Sequence, residues 1–198
     1  MKVLEYHTQS VGGGCNKSKH IFEDYFFLHI HKTAGSALKN FFGLCSYNDV
    51  SHYKLTADIV NDYKIITIVR NPYDRAVSTY KYKSGILRNK FKHKTFKEYV
   101  MDDNTDQPFF SSQVDYLKVN GIIVKPYYIF RYETLKFDLQ KFIKQEKLNF
   151  NIDNLQSVRV SKHKTEVPFT EFYDDETRDI VYKAYKEDFK YFNYDYEY

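Results

Sequence analysis

Apolar positions are scattered through residues 1–20, which are polar overall and carry Gly12, Gly13 and Gly14 in a row. A loose arm is expected there, ahead of a single folded domain over residues 21–198. The pattern changes at Tyr25. "YFFLHI" is a short apolar run of the kind that forms a strand buried on both faces. After it, Ala37, Leu38, Phe41 and Phe42 recur at helical spacing. "KIITIV" at 64–69 reads as a second buried strand, rich in β-branched residues. Asn71-Pro72 then supplies an N-cap and a first helical position, and Ala76, Val77 and Tyr80 share the inward face of the helix that follows. Short helices are expected at 56–61 and in "TFKEYVMD", the latter capped by Thr95. "PYYIFR" at 126–131 reads as a third strand. "TLKFDLQKFIKQEKL" is amphipathic, with Leu135, Leu139, Phe142 and Ile143 on one side. "DDETRDIVYKAYKEDFKYF" reads as one final helix bearing Ile180, Val181, Ala184 and Phe189. Strands alternating with helices predict a three-layer α/β fold, its central, mostly parallel sheet flanked by helices. Ligands of such sheets bind beyond the carboxyl ends of the strands.

Composition narrows this picture little. The 198 residues suffice for one sizeable core, and 42% hydrophobic with 28% charged residues is ordinary for a globular chain. Aromatic residues reach 19%, with 20 Tyr and no Trp, an excess that genomic base composition explains as well as function does. The net charge of +4 suits an anionic ligand and does not call for nucleic acid. No apolar run approaches the length of a membrane span, and the first residues lack the apolar core of a signal peptide. The expectation is a cytoplasmic protein whose Cys15 and Cys45 are free thiols. Oligomeric state is not legible.

Two strand-end turns carry candidate chemistry. Lys32, Thr33, Ala34, Gly35, Ser36 and Ala37 join the first strand to its helix. Helix N-termini attract phosphate, glycine admits close backbone approach, Thr33 and Ser36 offer hydroxyls, and Lys32 a mobile charge. A plain strand–turn–helix junction with a surface lysine has the same composition. The order differs from the Walker loop, because Lys32 precedes the glycine; "GGGCNKS" at 12–18 also fails, with Asn16 before Lys17. The second turn, "VRNPYDRAVSTY", ends its strand in Arg70, which can grip a phosphate bidentately. Ser78 lies two turns along the helix, and Asp74 and Arg75 are expected to pair on the surface. A nucleotide hydrolase often ends this strand in Asp to hold magnesium, so Arg70 argues for a metal-free phosphate site.

Together, "HIHKTAGSAL" and "IVRNPYDRAVSTY" resemble the paired motifs of sulfotransferases that use 3′-phosphoadenosine 5′-phosphosulfate. The likeness is to the carbohydrate-type group, which includes the heparan sulfate 2-O-sulfotransferases, and runs through "RYETL" and "YDDETRDIVYKAYKEDFKYFNY". The resemblance implies a P-loop-like fold and an enzyme moving a sulfuryl group from that donor to an acceptor hydroxyl without metal, leaving adenosine 3′,5′-bisphosphate. It implies that residues 32–37 hold the 5′-phosphosulfate and that Arg70 and Ser78 hold the 3′-phosphate. His31 stands where members of that group usually have proline, which makes the turn less rigid and adds a titratable group.

In-line sulfuryl transfer also needs a base of near-neutral pKa. His7 and His20 lie at the polar start, His29 in a strand and His93 in a Lys-rich run. His52 lies between the two turns, ahead of a short helix, where the resembling enzymes carry their base; the role is carried to His52 on that likeness. Glu133 is the rival, though an ion pair with a neighbouring Arg suits it better. Lys32 would stabilise charge growing on the leaving 5′-phosphate oxygen. Lys81, Lys83 and Arg88 open a basic run that is either a solvated face or a platform for an anionic acceptor, and the likeness favours a glycan. By analogy, Arg159 and Lys162 belong to a loop that closes over the nucleotide. Two other readings compete: a kinase-like phosphotransferase using ATP and magnesium, and a non-catalytic nucleotide-binding relic.

Overall fold

The computed structural model describes residues 20–44, 55–87, 95–102, 111–155 and 167–197. Its central sheet has the order β1-β2-β3-β6. β1 (Ile21–Phe22) turns back through Glu23, at φ 48°, and pairs antiparallel with β2 (Tyr25–Leu28). β2 runs parallel to β3 (Lys64–Val69), which runs parallel to β6 (Tyr128–Arg131). The expected third strand therefore begins at Tyr128, and Tyr127 adds one bond from its N–H to the Ile65 carbonyl. The fold is thus mixed α/β, with a mostly parallel sheet flanked by helices.

Both sheet faces are covered, which is why the strand sequences read as continuous apolar runs rather than alternating ones. Tyr25 and Phe27 of β2, Ile66 and Ile68 of β3 and Phe130 of β6 point to one side. They pack on Leu38 and Phe41 of α1 (Gly35–Phe41) and on Leu139 and Phe142 of α5 (Leu135–Glu146). Phe26, Leu28, Ile65 and Val69 point to the other side, against Ile59 of α2 (Ala57–Asp62), Val114 and Leu117. Phe27, Leu28, Ile66 and Ile68 are fully buried. Each is worth roughly 1.5–3 kcal/mol of burial, so the strands bearing the two turns are firmly anchored.

Local signals fix the ends of the helices. Thr56 caps α2, its Oγ1 accepting the Ile59 N–H at 3.3 Å. Asn71 caps α3 (Pro72–Leu87), its Oδ1 accepting the Tyr73 N–H at 2.9 Å. Thr95 caps α4 (Phe96–Met101) in the same way. A third apolar cluster joins Tyr73, Ala76 and Val77 of α3 to Phe96 and Tyr99 of α4 and to Val181, Tyr185 and Phe189.

Two features depart from the expectation. Asn120-Gly121, both at positive φ, close a hairpin between β4 (Lys118–Val119) and β5 (Ile122–Ile123). The final helix is two helices, α6 (Asp175–Ala184) and α7 (Lys186–Phe192), parted at Tyr185 with φ −114°. Ala184, expected in the core, faces solvent, and Tyr185 is buried instead. The break serves polar burial, which apolar periodicity does not register. It lets Tyr185 meet the buried Arg75 guanidinium at 5.0 Å from its ring centre. It also sends the Asp188 carboxylate inward, where it accepts the Ser112 hydroxyl and the N–H groups of Gln113 and Val114. Among the described residues no helix is long and apolar enough to cross a membrane.

Asp188 is fully buried and acceptor-only, so an amide in its place turns a donor toward donors. Asp188→Asn is expected to lower unfolding stability by about 2–3 kcal/mol, read by urea denaturation. An unchanged midpoint would count against this account of the helix break.

Candidate functional site

The parallel register brings three strand ends side by side, Leu28 beside Thr67 and Val69 beside Arg131. Arg70 leaves the middle strand and touches the turns on both sides. Its Nη1 donates to the Lys32 carbonyl at 3.2 Å. Its Cζ lies over the Tyr132 ring, 3.9 Å from the centre. Nε and Nη2 donate to the two carboxylate oxygens of Asp74, at 2.7 and 2.8 Å. Asp74 therefore pairs with Arg70, four residues back, and not with Arg75. Arg75 is buried and donates to the Ser111 carbonyl.

The backbone of Arg70 is held as firmly as its side chain. Gln113, fully buried, accepts the Arg70 N–H at 3.0 Å and donates to the Arg70 carbonyl at 2.9 Å. Glu133 accepts the Asn71 N–H at 2.6 Å and the Tyr194 hydroxyl at 3.1 Å. That replaces the expected ion pair: Glu133 ties the end of β6 to the start of α3. Ser78 is half-buried on α3, one turn past Asp74 and one turn before Tyr82. Lys32 Nζ lies 4.1 Å above the Tyr82 ring centre, so Ser78 falls between the side chains that meet Arg70 and Lys32.

The first turn has an unusual backbone. Lys32 and Ala34 have φ of 63° and 71°, while Thr33 and Gly35 are not at positive φ. Alternation of this kind turns successive N–H groups into one concavity that suits an anion. The turn is braced from within. Thr33 is buried and its hydroxyl donates to the Ile30 carbonyl at 2.8 Å, so the side chain shapes the turn instead of offering a free hydroxyl. The Ala37 N–H donates to the Ala34 carbonyl at 3.0 Å, which leaves the first helical N–H groups, Gly35 and Ser36, as the backbone donors. Ser36 is exposed.

Gly35 is glycine for a reason other than ligand approach. A Cβ there would lie 2.1 Å from Cδ2 of His29. The imidazole fills that space and packs between Phe27 and His31, with ring centres at 6.1 and 5.8 Å. Burial, with Lys39 adding to it, lowers the His29 pKa to about 3, so the ring is neutral. His29 is a packing residue, as expected, although β2 ends at Leu28 and leaves His29 just past the strand. His31 is tied back as well, its Nδ1 3.1 Å from the Tyr116 hydroxyl.

Burial, then the neighbouring Arg70, lowers Lys32 to about 8. The ammonium is still mostly charged at neutral pH and becomes neutral just above it. Of the expected basic platform, Lys81 is exposed, its Nζ 4.6 Å from the Phe172 ring centre. Lys83 is buried, with Nζ 5.6 Å from the Tyr99 ring centre, and cannot meet an acceptor. His52, Arg88, Arg159 and Lys162 lie outside the described residues.

Two expectations follow from the His29–Gly35 contact. Gly35→Ala loses stability through the collision, and His29→Ala in the same chain recovers part of the loss, a coupling read by a double-mutant cycle. His29 titrates near 3 folded and near 6.5 unfolded, so the unfolded state binds more protons between those values. Stability therefore falls as pH drops from 6.5 toward 3, and His29→Phe should flatten that slope in denaturation midpoints.

Lys32, Arg70, Asp74, Ser78 and the braced turn thus gather beyond the carboxyl ends of the strands, with Arg70 near enough to Lys32 to disfavour its charge. The family model described as "Sulfotransferase family" matches residues 42–195, taking in Arg70, Asp74, Ser78 and Glu133 and beginning after the Lys32 turn. No curated protein and no solved structure matches the chain. On the extent of the family match, which spans well over half of its length, the chain belongs to the sulfotransferase family.

Proposed function

We propose that the protein transfers a sulfuryl group from 3′-phosphoadenosine 5′-phosphosulfate to an acceptor hydroxyl on a glycan or other anionic molecule. The observation that carries the reading is the direct contact of the two turns, Arg70 Nη1 on the Lys32 carbonyl. It brings Arg70, expected to hold the 3′-phosphate, against the turn expected to hold the 5′-phosphosulfate. The Asp74 pair and the Lys32 carbonyl take three of the five guanidinium N–H groups, and among the described residues the other two, one on Nη1 and one on Nη2, remain to meet a phosphate. Ser78 is within the same stripe of α3. The concave Lys32 turn supports binding of the phosphosulfate through backbone N–H groups. A P-loop-like three-layer architecture is part of the same proposal.

In the reaction, the acceptor oxygen attacks sulfur in line and forms the new O–S bond. The bond from sulfur to the bridging oxygen breaks, and its electron pair stays on the 5′-phosphate. The acceptor proton passes to a base, for which His52 is the candidate. Lys32 stabilises the charge that grows on the bridging oxygen, an interaction stronger in the transition state than before it. Family membership gives the ATP- and magnesium-dependent phosphotransferase no support.

Thermal shift tests donor binding, because a ligand of the folded state raises the melting point by mass action. Adenosine 3′,5′-bisphosphate without metal should raise it more than ADP with magnesium; the reverse order would overturn the proposal. Lys32→Ala is expected to cut transfer from labelled donor by roughly a hundredfold or more. The charged form of Lys32 is the one that attracts the anion, so affinity for the bisphosphate should fall as pH rises through about 8. Calorimetric titration from pH 6.5 to 9.5 reads that fall, and Lys32→Met should remove it.

A further inference from the structure

Arg70 and Lys32 are held in different ways. Arg70 faces a carboxylate, whereas among the described residues no carboxylate pairs with Lys32. What stands where a carboxylate could be is the face of Tyr82, 4.1 Å below Nζ. Tyr82 is 43% exposed, on the stripe of α3 that also carries Asp74 and Ser78. An aromatic face attracts a cation through its quadrupole yet carries no net charge. It can orient an ammonium without neutralising it.

We propose that Tyr82 is a positioning residue for Lys32, its ring holding the ammonium charged and aimed at the donor turn while leaving that charge uncompensated for an arriving anion. The assignment to a donor rests on the sulfotransferase reading above; the hold of Tyr82 on Lys32 does not. Among the described residues the groups that set the charge of Lys32 are few. Arg70, from the end of β3, opposes protonation, and Asp74 at the start of α3 is already committed to Arg70. His31 precedes Lys32 in its own turn and is bonded to Tyr116. Tyr82 is the contribution from α3. Burial works against the charge, and the ring works for it.

The test follows the titration of Lys32 in the full chain by NMR after ¹³C-methylation of the lysines, with Lys32→Arg to assign the signal. Wild type should titrate near 8. Tyr82→Leu should move the midpoint down by roughly one pH unit, and Tyr82→Phe, which keeps the ring, should restore it. Tyr82→Gln serves as a second ring-less variant should the leucine disturb α3. The basic limb of bisphosphate binding should move down in parallel. A midpoint that stays in place or rises in both ring-less variants would mean that the ring merely covers Lys32, and the assignment would fall. The titration needs no nucleotide, so it decides the role of Tyr82 even if the bisphosphate does not bind.

Discussion

The placement of Arg70 is the constraint on which the rest of the site depends. It stands at the end of the middle parallel strand, and its guanidinium reaches the turn on one side and the aromatic ring on the other. An arginine there would be mobile if only its side chain were tethered. Gln113 prevents that by bonding both polar groups of the Arg70 backbone, and Asp188 in turn holds the Gln113 N–H. Sheet, buried amide and buried carboxylate form a chain of support ending in the guanidinium. Each link is buried, where a polar group that lost its partner would cost more than an exposed one.

The first turn is built on the opposite principle. Apart from the Arg70 bond to the Lys32 carbonyl, its shape follows from two residues at positive φ and from the absence of a Cβ at Gly35. The His29 ring occupies the space that glycine leaves, so α1 approaches β2 more closely than any other residue would permit. The left-handed residues cost the chain conformational energy, of order 1–3 kcal/mol each, offset by the bracing from Thr33 and the packing around His29.

Much of this was legible in the sequence. The two buried strands, the Asn71-Pro72 helix start and the Thr95 cap all rest on local chemistry that does not need the fold, whereas Thr56, expected inside its helix, caps it instead. The Asn120-Gly121 hairpin was legible too, since Asn-Gly between apolar residues is a strong turn signal, yet its strands are only two residues long. The Arg70–Asp74 pair is four residues apart and could have been preferred to the adjacent Asp74–Arg75 pair on helical geometry alone. Other features had no local signal. Nothing in "SSQVD" marks Gln113 as the anchor of Arg70, and the interruption at Tyr185 answers to Arg75 a hundred or so positions earlier in the chain. Lys83 reads as one more surface lysine until the third cluster closes over it. Long-range polar burial is invisible to periodicity, because it depends on which distant groups meet.

The Arg70–Asp74 pair also shapes how the edge of the sheet looks from a distance. The two charges largely cancel, so of Lys32, Arg70 and Asp74 only Lys32 contributes much field beyond a few ångströms. Of these three groups, Lys32 is the one an anion would feel at a distance, and dissolved ions screen that pull over a Debye length of about 8 Å. Recognition then resides in directed hydrogen bonds made at contact. A site organised this way tolerates changes in ionic strength better than a bare cluster of lysines.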